Sequence, residues 1–378
     1  MALQRSLLKR KISRRQLLRG LGGVAIGAAA LPTVTSAPAV ARAAQKQTVS
    51  VMGAPGLHLV VWKEWANMVE ADTKGMIEVK YEPLGYAPAF AKVKTEAESK
   101  HRTVDIFYGD APYPHLLAND GLLEPLPYDQ MPNTKELWDF ARKKFIIEAF
   151  HTEWGVVGYN TKFIKGTEFK RPISWEEFTD PKWKGKLGWP DPRSFQAELP
   201  AIFTIYGDKW LDYMKRVDKN VSNYYSRWID NRIANQKGDI QLSIHCLATI
   251  YIGAEIDKAP MRGAIITTPK PGLCALEVSM GVVKDAPAKD AAFKVMDMIC
   301  SARYTKVMMD KGLNPSNNPK NYPHNMPEKI LEVNDAKEAG INKWEDLKGF
   351  LLPLDWGEWA KKMPEYIKTW EDEVLKKR

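Results

Sequence analysis

TVSVMGAPGLHLVVWKEWANMVEA, residues 48–71, decides the fold. Thr48 to Met52 is a short run rich in strand formers, and Gly53-Ala54-Pro55-Gly56 breaks it. From Leu57 to Ala71 the apolar residues change period: Leu57, Val60, Val61, Trp65, Met68 and Val69 recur at helical spacing. Further along, Ile77 to Tyr81 predicts a second strand, Phe90 to Lys100 a helix and Val104 to Tyr108 a third strand. Gly109-Asp110-Ala111-Pro112 then opens another helix through Leu117. Strand–helix–strand units of this length imply an α/β fold with parallel strands and crossover helices.

The same alternation continues. Trp154 to Tyr159 is extended, and Ser174-Trp175-Glu176-Glu177 has the form of a capping box opening a short helix. Leu187 to Trp189 is a strand that runs into Pro190-Asp191-Pro192-Arg193-Ser194 and a helix. Ile240 to His245 and Val278 to Val283 are strands, and Lys289 to Cys300 is an amphipathic helix. Beyond about Gly312 the chain is loop-rich and then helical, with Trp344, Trp356, Trp359 and Trp370 at helix-like spacing.

Outside this region, residues 1–43 read as a secretory leader. Arg5, Lys9, Arg10, Lys11, Arg14, Arg15 and Arg19 precede a mildly apolar Gly/Ala-rich stretch, Leu21 to Leu31, and Ala41-Arg42-Ala43 is the cleavage pattern. Ser13-Arg14-Arg15-Gln16-Leu17-Leu18-Arg19 resembles the twin-arginine consensus. The apolar run is far short of the roughly 20 residues that span a bilayer. The expectation is export by the twin-arginine translocase to the periplasm. The leader also explains the charge. The chain holds 55 basic and 46 acidic residues, net +9. Eight of the basic residues and none of the acidic ones lie in 1–43, so the remainder is close to neutral. The basic pI of about 9.1 therefore points to neither nucleic acid nor an anionic membrane. Three cysteines, Cys246, Cys274 and Cys300, are too few for a disulfide framework or a metal cage. A Cys246–Cys274 bridge and three buried thiols are both open readings. No phosphate-cradling or dinucleotide glycine motif, nucleophile elbow or H-E-x-x-H is present, so no catalytic residue, metal or cofactor is expected.

Five segments, in order, resemble the extracellular solute-binding proteins of ABC importers, the cluster that includes the spermidine/putrescine- and ferric-iron-binding proteins. They are Val104–Gly109 with Leu117–Pro127; Trp154–Asn160; Ile173–Phe178 with Asp180–Lys186; Pro269–Gly272 with Ala286–Ala292; and Gly312–Asn317. The resemblance implies a periplasmic binding protein of type II: two Rossmann-like lobes joined by hinge strands, with the ligand in the cleft between them. It implies a first lobe of residues 44–153 and 281–324 and a second of 154–280 and 325–378. It also implies a small-molecule solute, an inner-membrane ABC permease as partner, and a monomer.

In open α/β sheets ligands bind beyond the carboxyl ends of strands. Here those ends are Gly53–Gly56, Gly109–Tyr113, Pro190–Ser194 and His245–Leu247. The candidate ligand-binding residues are accordingly Pro55, Gly56, Asp110, Tyr113, Trp154, Asp191, Arg193, Ser194, His245 and Cys246. Asp110 is alternatively a helix cap, and His245 a satisfied core histidine. Departures from the resembled pattern bear on the solute. Leu276 and Val278 stand where polyamine binders carry an aromatic and an Asp, and Arg193-Ser194 replace an acidic partner after Asp191. Arg193 at a helix start favours an anion or zwitterion, unless it pairs with an acidic side chain instead. The ferric binders' adjacent tyrosines have a counterpart only in Tyr224-Tyr225, upstream of the expected place and read as strand packing. His151 and Glu153 form a possible acid–base pair, read instead as hinge residues. The alternatives are a polyamine- or ferric-ion-binding protein of the same fold and, in another class, a twin-arginine-exported periplasmic enzyme.

Overall fold

The computed structural model describes residues 46–377 except 195–197, 312–317, 319, 321–327, 344–345, 347 and 353, and omits the side chains of 57, 149–154, 275, 276, 328 and 348. The leader and the Gly312–Asn317 segment thus lie outside the described residues.

The quoted stretch folds as read. Strand β1 (Gln47–Gly53) runs into helix α1 (Leu57–Asp72). β1 pairs in parallel with β2 (Ile77–Pro83) and with β3 (Ile106–Asp110). Helices α1 and α2 (Tyr86–Glu98) make the crossovers, and α3 (Pro112–Asn119) follows β3. Trp62 and Trp65 on α1 are fully buried, Trp62 stacking on Tyr81 at 5.5 Å and meeting Trp65 edge-on at 4.9 Å. Asp105 fastens the layers: its carboxylate accepts from Ser50 N at 2.8 Å and Ala288 N at 2.7 Å.

Two long strands carry the chain between sheets. The first half of β4 (Ile147–Asn160) pairs antiparallel with β9 (Ala275–Val282), which pairs antiparallel with β3. The first sheet is therefore β2-β1-β3-β9-β4. The second half of β4, from Gly155 on, pairs with β7 (Leu242–Cys246) and β8 (Met261–Ile265). β7 pairs in parallel with β5 (Leu187–Pro190), and β5 with β6 (Val221–Tyr225). The second sheet's helices are α4 (Glu198–Tyr206), α5 (Trp210–Asp218), α6 (Trp228–Lys237) and α7 (Leu247–Tyr251). Helices α8 (Lys289–Cys300) and α9 (Ala302–Asp310) return to the first sheet's core, and α10 (Glu328–Val333) packs on α7.

The cores follow the sheets. One apolar cluster joins residues from Val49 to Ile147 with Val278 to Met308; another joins Val156 to Leu273 with Ile330 to Val374. The molecule is a two-lobed α/β protein of the periplasmic binding protein type II class. The last helix, α11 (Trp356–Glu373), lies against both α3 and α5, so it rests on both lobes rather than on the second alone.

One local reading is corrected. Ser174 makes no side-chain cap, and Trp175–Thr179 is a single 3-10 turn. Glu177 accepts instead from the indole of Trp183 at 3.0 Å and from Lys170 N at 3.2 Å, so a box-like spacing is consumed by tertiary bonds.

Candidate functional site

Strand ends from both sheets converge on one cavity of about 510 Å³. On the first lobe its wall is built from Ala54, Pro55 and His58 after β1, Tyr86 after β2, and Asp110 and Tyr113 after β3. On the second lobe it is built from Pro190, Ser194 and Glu198 around β5 and α4, Trp228 and Asn231 on α6, and His245 and Cys246 at the end of β7. Gly155 and Cys274, where β4 and β9 cross, complete it.

Of the residues expected from sequence, Pro55, Asp110, Tyr113, Ser194, His245 and Cys246 line this cavity. Gly56 sits at its rim: it has φ +78°, and a Cβ there would lie 3.6 Å from the Trp228 ring on the other lobe. Trp154, His151 and Glu153 have side chains outside the described residues. Asp191 and Arg193 do not line the cavity. The Arg193 guanidinium donates to both carboxylate oxygens of Asp191, Nε at 2.9 and 3.1 Å, and reaches Glu371 on α11 at 3.4 Å. The acidic pairing weighed as the alternative is thus the one present. Asp110 makes no side-chain cap on α3. Tyr224 donates to Asp218 at 2.9 Å and packs against Trp370, away from the cavity.

No disulfide joins the three cysteines among the described residues. Cys246 pairs with Gly155 across one edge of β4, and the Gly155 N–H donates to Cys274 O at 2.9 Å across the other. Two strand spacings, about 9–10 Å, separate the backbones, beyond the reach of a disulfide. Gly155 is required between them, because a Cβ there would stand 2.5 Å from the Cys274 sulfur.

The electrostatics of the two walls differ. His58 is buried, with Nδ1 3.3 Å from the Tyr108 hydroxyl and Nε2 3.4 Å from that of Tyr86. Burial pushes its pKa down to about 4, so it is neutral. Burial, with the Arg232 charge beside it, pushes His245 down to about 3, and its Nε2 has no partner. Burial pushes the Glu198 carboxyl up to about 7. Asn231 donates to Ser243 Oγ at 2.7 Å, leaving its Oδ1 unbonded. Among the described lining residues Arg227 is the one Lys or Arg, and Asp230 holds it at 2.7 and 2.6 Å. No group of three metal-binding side chains occurs among the described residues.

Two α/β lobes, two crossing strands and a lined cleft between them define a binding protein. The chain belongs to the bacterial extracellular solute-binding protein family, which matches residues 64–325. It is similar in fold to the periplasmic binding protein AfuA from Actinobacillus pleuropneumoniae, solved with fructose-6-phosphate. That match has TM-score 0.69 and 20% identity, over 87% of this chain and 98% of the other. It is likewise similar to iron-bound HitA from Pseudomonas aeruginosa, with TM-score 0.66 and 16% identity over 85% and 98%. An uncharacterized protein of Haemophilus influenzae is 26% identical over 200 residues, 49% of this chain and 57% of that protein's length. These relatives are binding proteins rather than enzymes where their function is stated, and the family places the chain outside the cytoplasm.

Sequence reasoning missed His58, Tyr86, Glu198, Trp228 and Asn231. His58 lies one residue into α1, within the quoted stretch, and its proximity to the Gly53–Gly56 break was the available signal. Glu198 and Asn231 had none, because their exposure to the cleft depends on how α4 and α6 lie on the second sheet.

Proposed function

We propose that this chain is the periplasmic solute-binding component of an ABC uptake transporter. The observation that carries the reading is the cavity of about 510 Å³ walled by strand ends of both sheets and floored by the two strands that connect them. A solute entering from one lobe is completed by the other on closure about β4 and β9, a hinge transition. The closed form then presents one surface to the permease. In this reading the first lobe comprises residues 44–153 and 281–324, and the second 154–280 and 325–378. The protein acts as a monomer, holds no resident cofactor and makes or breaks no bond in its solute, so it is not an enzyme.

Pro55, Gly56, Asp110, Tyr113, Ser194, His245 and Cys246 form the solute shell from the expected set, joined by Glu198, Trp228 and Asn231. The deciding experiment is a thermal-shift screen of the mature protein over amines, amino acids, carboxylates, phosphonates, sugars and ferric iron. A true solute at about 100 times its Kd adds roughly 2.7 kcal/mol to folded-state stability. A screen with no hit, together with turnover of any tested compound, would refute the binding reading.

Delivery is assigned to the twin-arginine translocase by the Ser13–Arg19 motif. Replacing Arg14-Arg15 by Lys-Lys is expected to abolish periplasmic accumulation, because a receptor reads the pair and not its charge. Normal export of that variant would assign the chain to the general secretory route.

A further inference from the structure

The last helix, α11, is joined to the two lobes by different chemistry. Its second half is set into the second lobe by rings. Tyr366 meets Phe203 of α4 at 4.6 Å and Trp210 of α5 at 5.6 Å. Trp370 is fully buried and meets Tyr224 of β6 edge-on at 5.1 Å. Lys215 of α5 pairs with Glu373 at 3.0 Å. The stretch before α11 is tied down as well: Leu352 N donates to Leu273 O at 3.0 Å, and Leu273 N to Phe350 O at 2.8 Å. Buried rings dominate the energy of such a contact, so this end moves with the second lobe.

The start of α11 is set on the first lobe by polar groups and one leucine. It lies against α3, and a Cβ on Gly357 would stand 3.6 Å from His115 Nδ1. His115 Nε2 in turn lies 3.1 Å from Glu148 Oε1 on β4, and Lys143 holds the other carboxylate oxygen at 3.0 Å. Leu116, next on α3, packs against the second-lobe core and against the first-lobe cluster around Phe107. Trp356 is 1% exposed and stands beside Glu277 on β9, yet its indole N–H has no hydrogen-bond partner among the described residues. A close-packed apolar contact favours one register; a polar contact with an unspent donor beside a carboxyl admits a second, in which that donor is bonded. No described residue of α11 lines the cavity. The crossing strands thus meet the cavity at Gly155 and Cys274 and meet the helix at Glu148 and Glu277.

We propose that α11 is an inter-lobe strap: it travels with the second lobe, slides on α3 at a seam of His115, Leu116, Trp356 and Gly357, and so sets how readily the lobes change orientation. This rests on the reading of β4 and β9 as a hinge. Small sliding steps between packed helices are one of the forms that domain movement takes. The energy of reorienting the lobes is part of the affinity of any solute that requires closure. The strap therefore tunes capture from outside the cavity.

The test is the distribution of inter-lobe distances in the mature protein. It is measured by pulsed electron resonance between spin labels carried on noncanonical residues at Lys63 in α1 and Lys219 after α5, both exposed. The native chain should show more than one lobe orientation. His115→Cys with Gly357→Cys, oxidised and the bridge verified by mass spectrometry, should collapse the spread to one narrow population, and dithiothreitol should restore it. Leu116→Ala should shift the populations at least about threefold. Trp356→Phe keeps the ring and removes the donor; it should deplete the second register even where Leu116→Ala fails to fold. A spread that the bridge and Trp356→Phe both leave unchanged, or cysteines that never bridge, overturns the strap and leaves the hinge standing. A single narrow distance shared by the native, bridged and Leu116→Ala chains overturns the hinge reading, and the strap with it.

Discussion

The two walls of the cleft are built on different terms. On the first lobe the polar groups bond to one another: His58 stands between Tyr108 and Tyr86, and the Tyr81 hydroxyl donates to Ala54 O at 2.6 Å. On the second lobe Asn231 Oδ1 and His245 Nε2 are buried without hydrogen-bond partners among the described residues. A buried polar group left unbonded costs about 1–3 kcal/mol, and such cost is recovered when a ligand completes the bond. Around His58 and Tyr81 the first wall is thus bonded to itself, whereas the second leaves acceptors open at Asn231 and His245. A change in the aromatic packing behind the first wall should appear chiefly as lost stability, and a change at Asn231 or His245 as altered binding or pH response.

The largest effect expected is on the first wall's foundation. Trp62→Ala should cost about 3–5 kcal/mol, the range for deleting a large buried aromatic, measured by urea denaturation. A loss below about 1 kcal/mol would show that the Trp62–Tyr81–Trp65 packing is not what fixes α1. The next effect is a pH response on the second wall. His245 has a folded pKa of about 3, below the 6.5 of the unfolded chain. The unfolded state therefore binds the extra proton first, and stability is lost as pH falls below 6.5. Between pH 7.5 and 4.5 the native chain should lose about 2–3 kcal/mol more than His245→Gln. Equal acid sensitivity in the two proteins would remove His245 from the comparison.

At the junction of the walls, Gly155→Ala sets a methyl against the Cys274 sulfur and should cost about 1–3 kcal/mol. Adding Cys274→Ala should restore most of it, a non-additivity that a double-mutant cycle reads directly. The smallest effect belongs to Arg193, half exposed and outside the cavity. Arg193→Ala should change stability by less than about 1 kcal/mol and solute affinity by less than threefold. A larger loss of affinity would return Arg193 to the site.

The sequence carried the fold further than the site. Strand and helix periods from Thr48 to Ala71 were unambiguous because half-buried strands and amphipathic helices impose different spacings on the same apolar residues. The antiparallel pairing of β4 with β9 was not written in either strand, since nothing local records a partner more than a hundred residues away. The cavity lining was legible where it follows a strand end, as with Pro55, Asp110, Tyr113, Ser194 and His245. It was illegible where a helix turns a residue inward, as with Asn231. Arg193 shows the converse failure. Its donors were correctly read as needing acids, but Glu371 lies 178 positions away on α11.

The placement of β9 has a consequence for how this chain comes into being. It is inserted between β3 and β4, yet it is synthesised after the whole of the second sheet. Until residue 282 has emerged, the growing chain holds two open strand edges facing an empty slot, the condition in which nascent sheets pair wrongly or aggregate. Maturation is thus a late, single event, and the last helix, settling on both lobes, comes after it. A ribosome-stalled series should show protease resistance appearing abruptly once β9 is available, and not in two steps lobe by lobe.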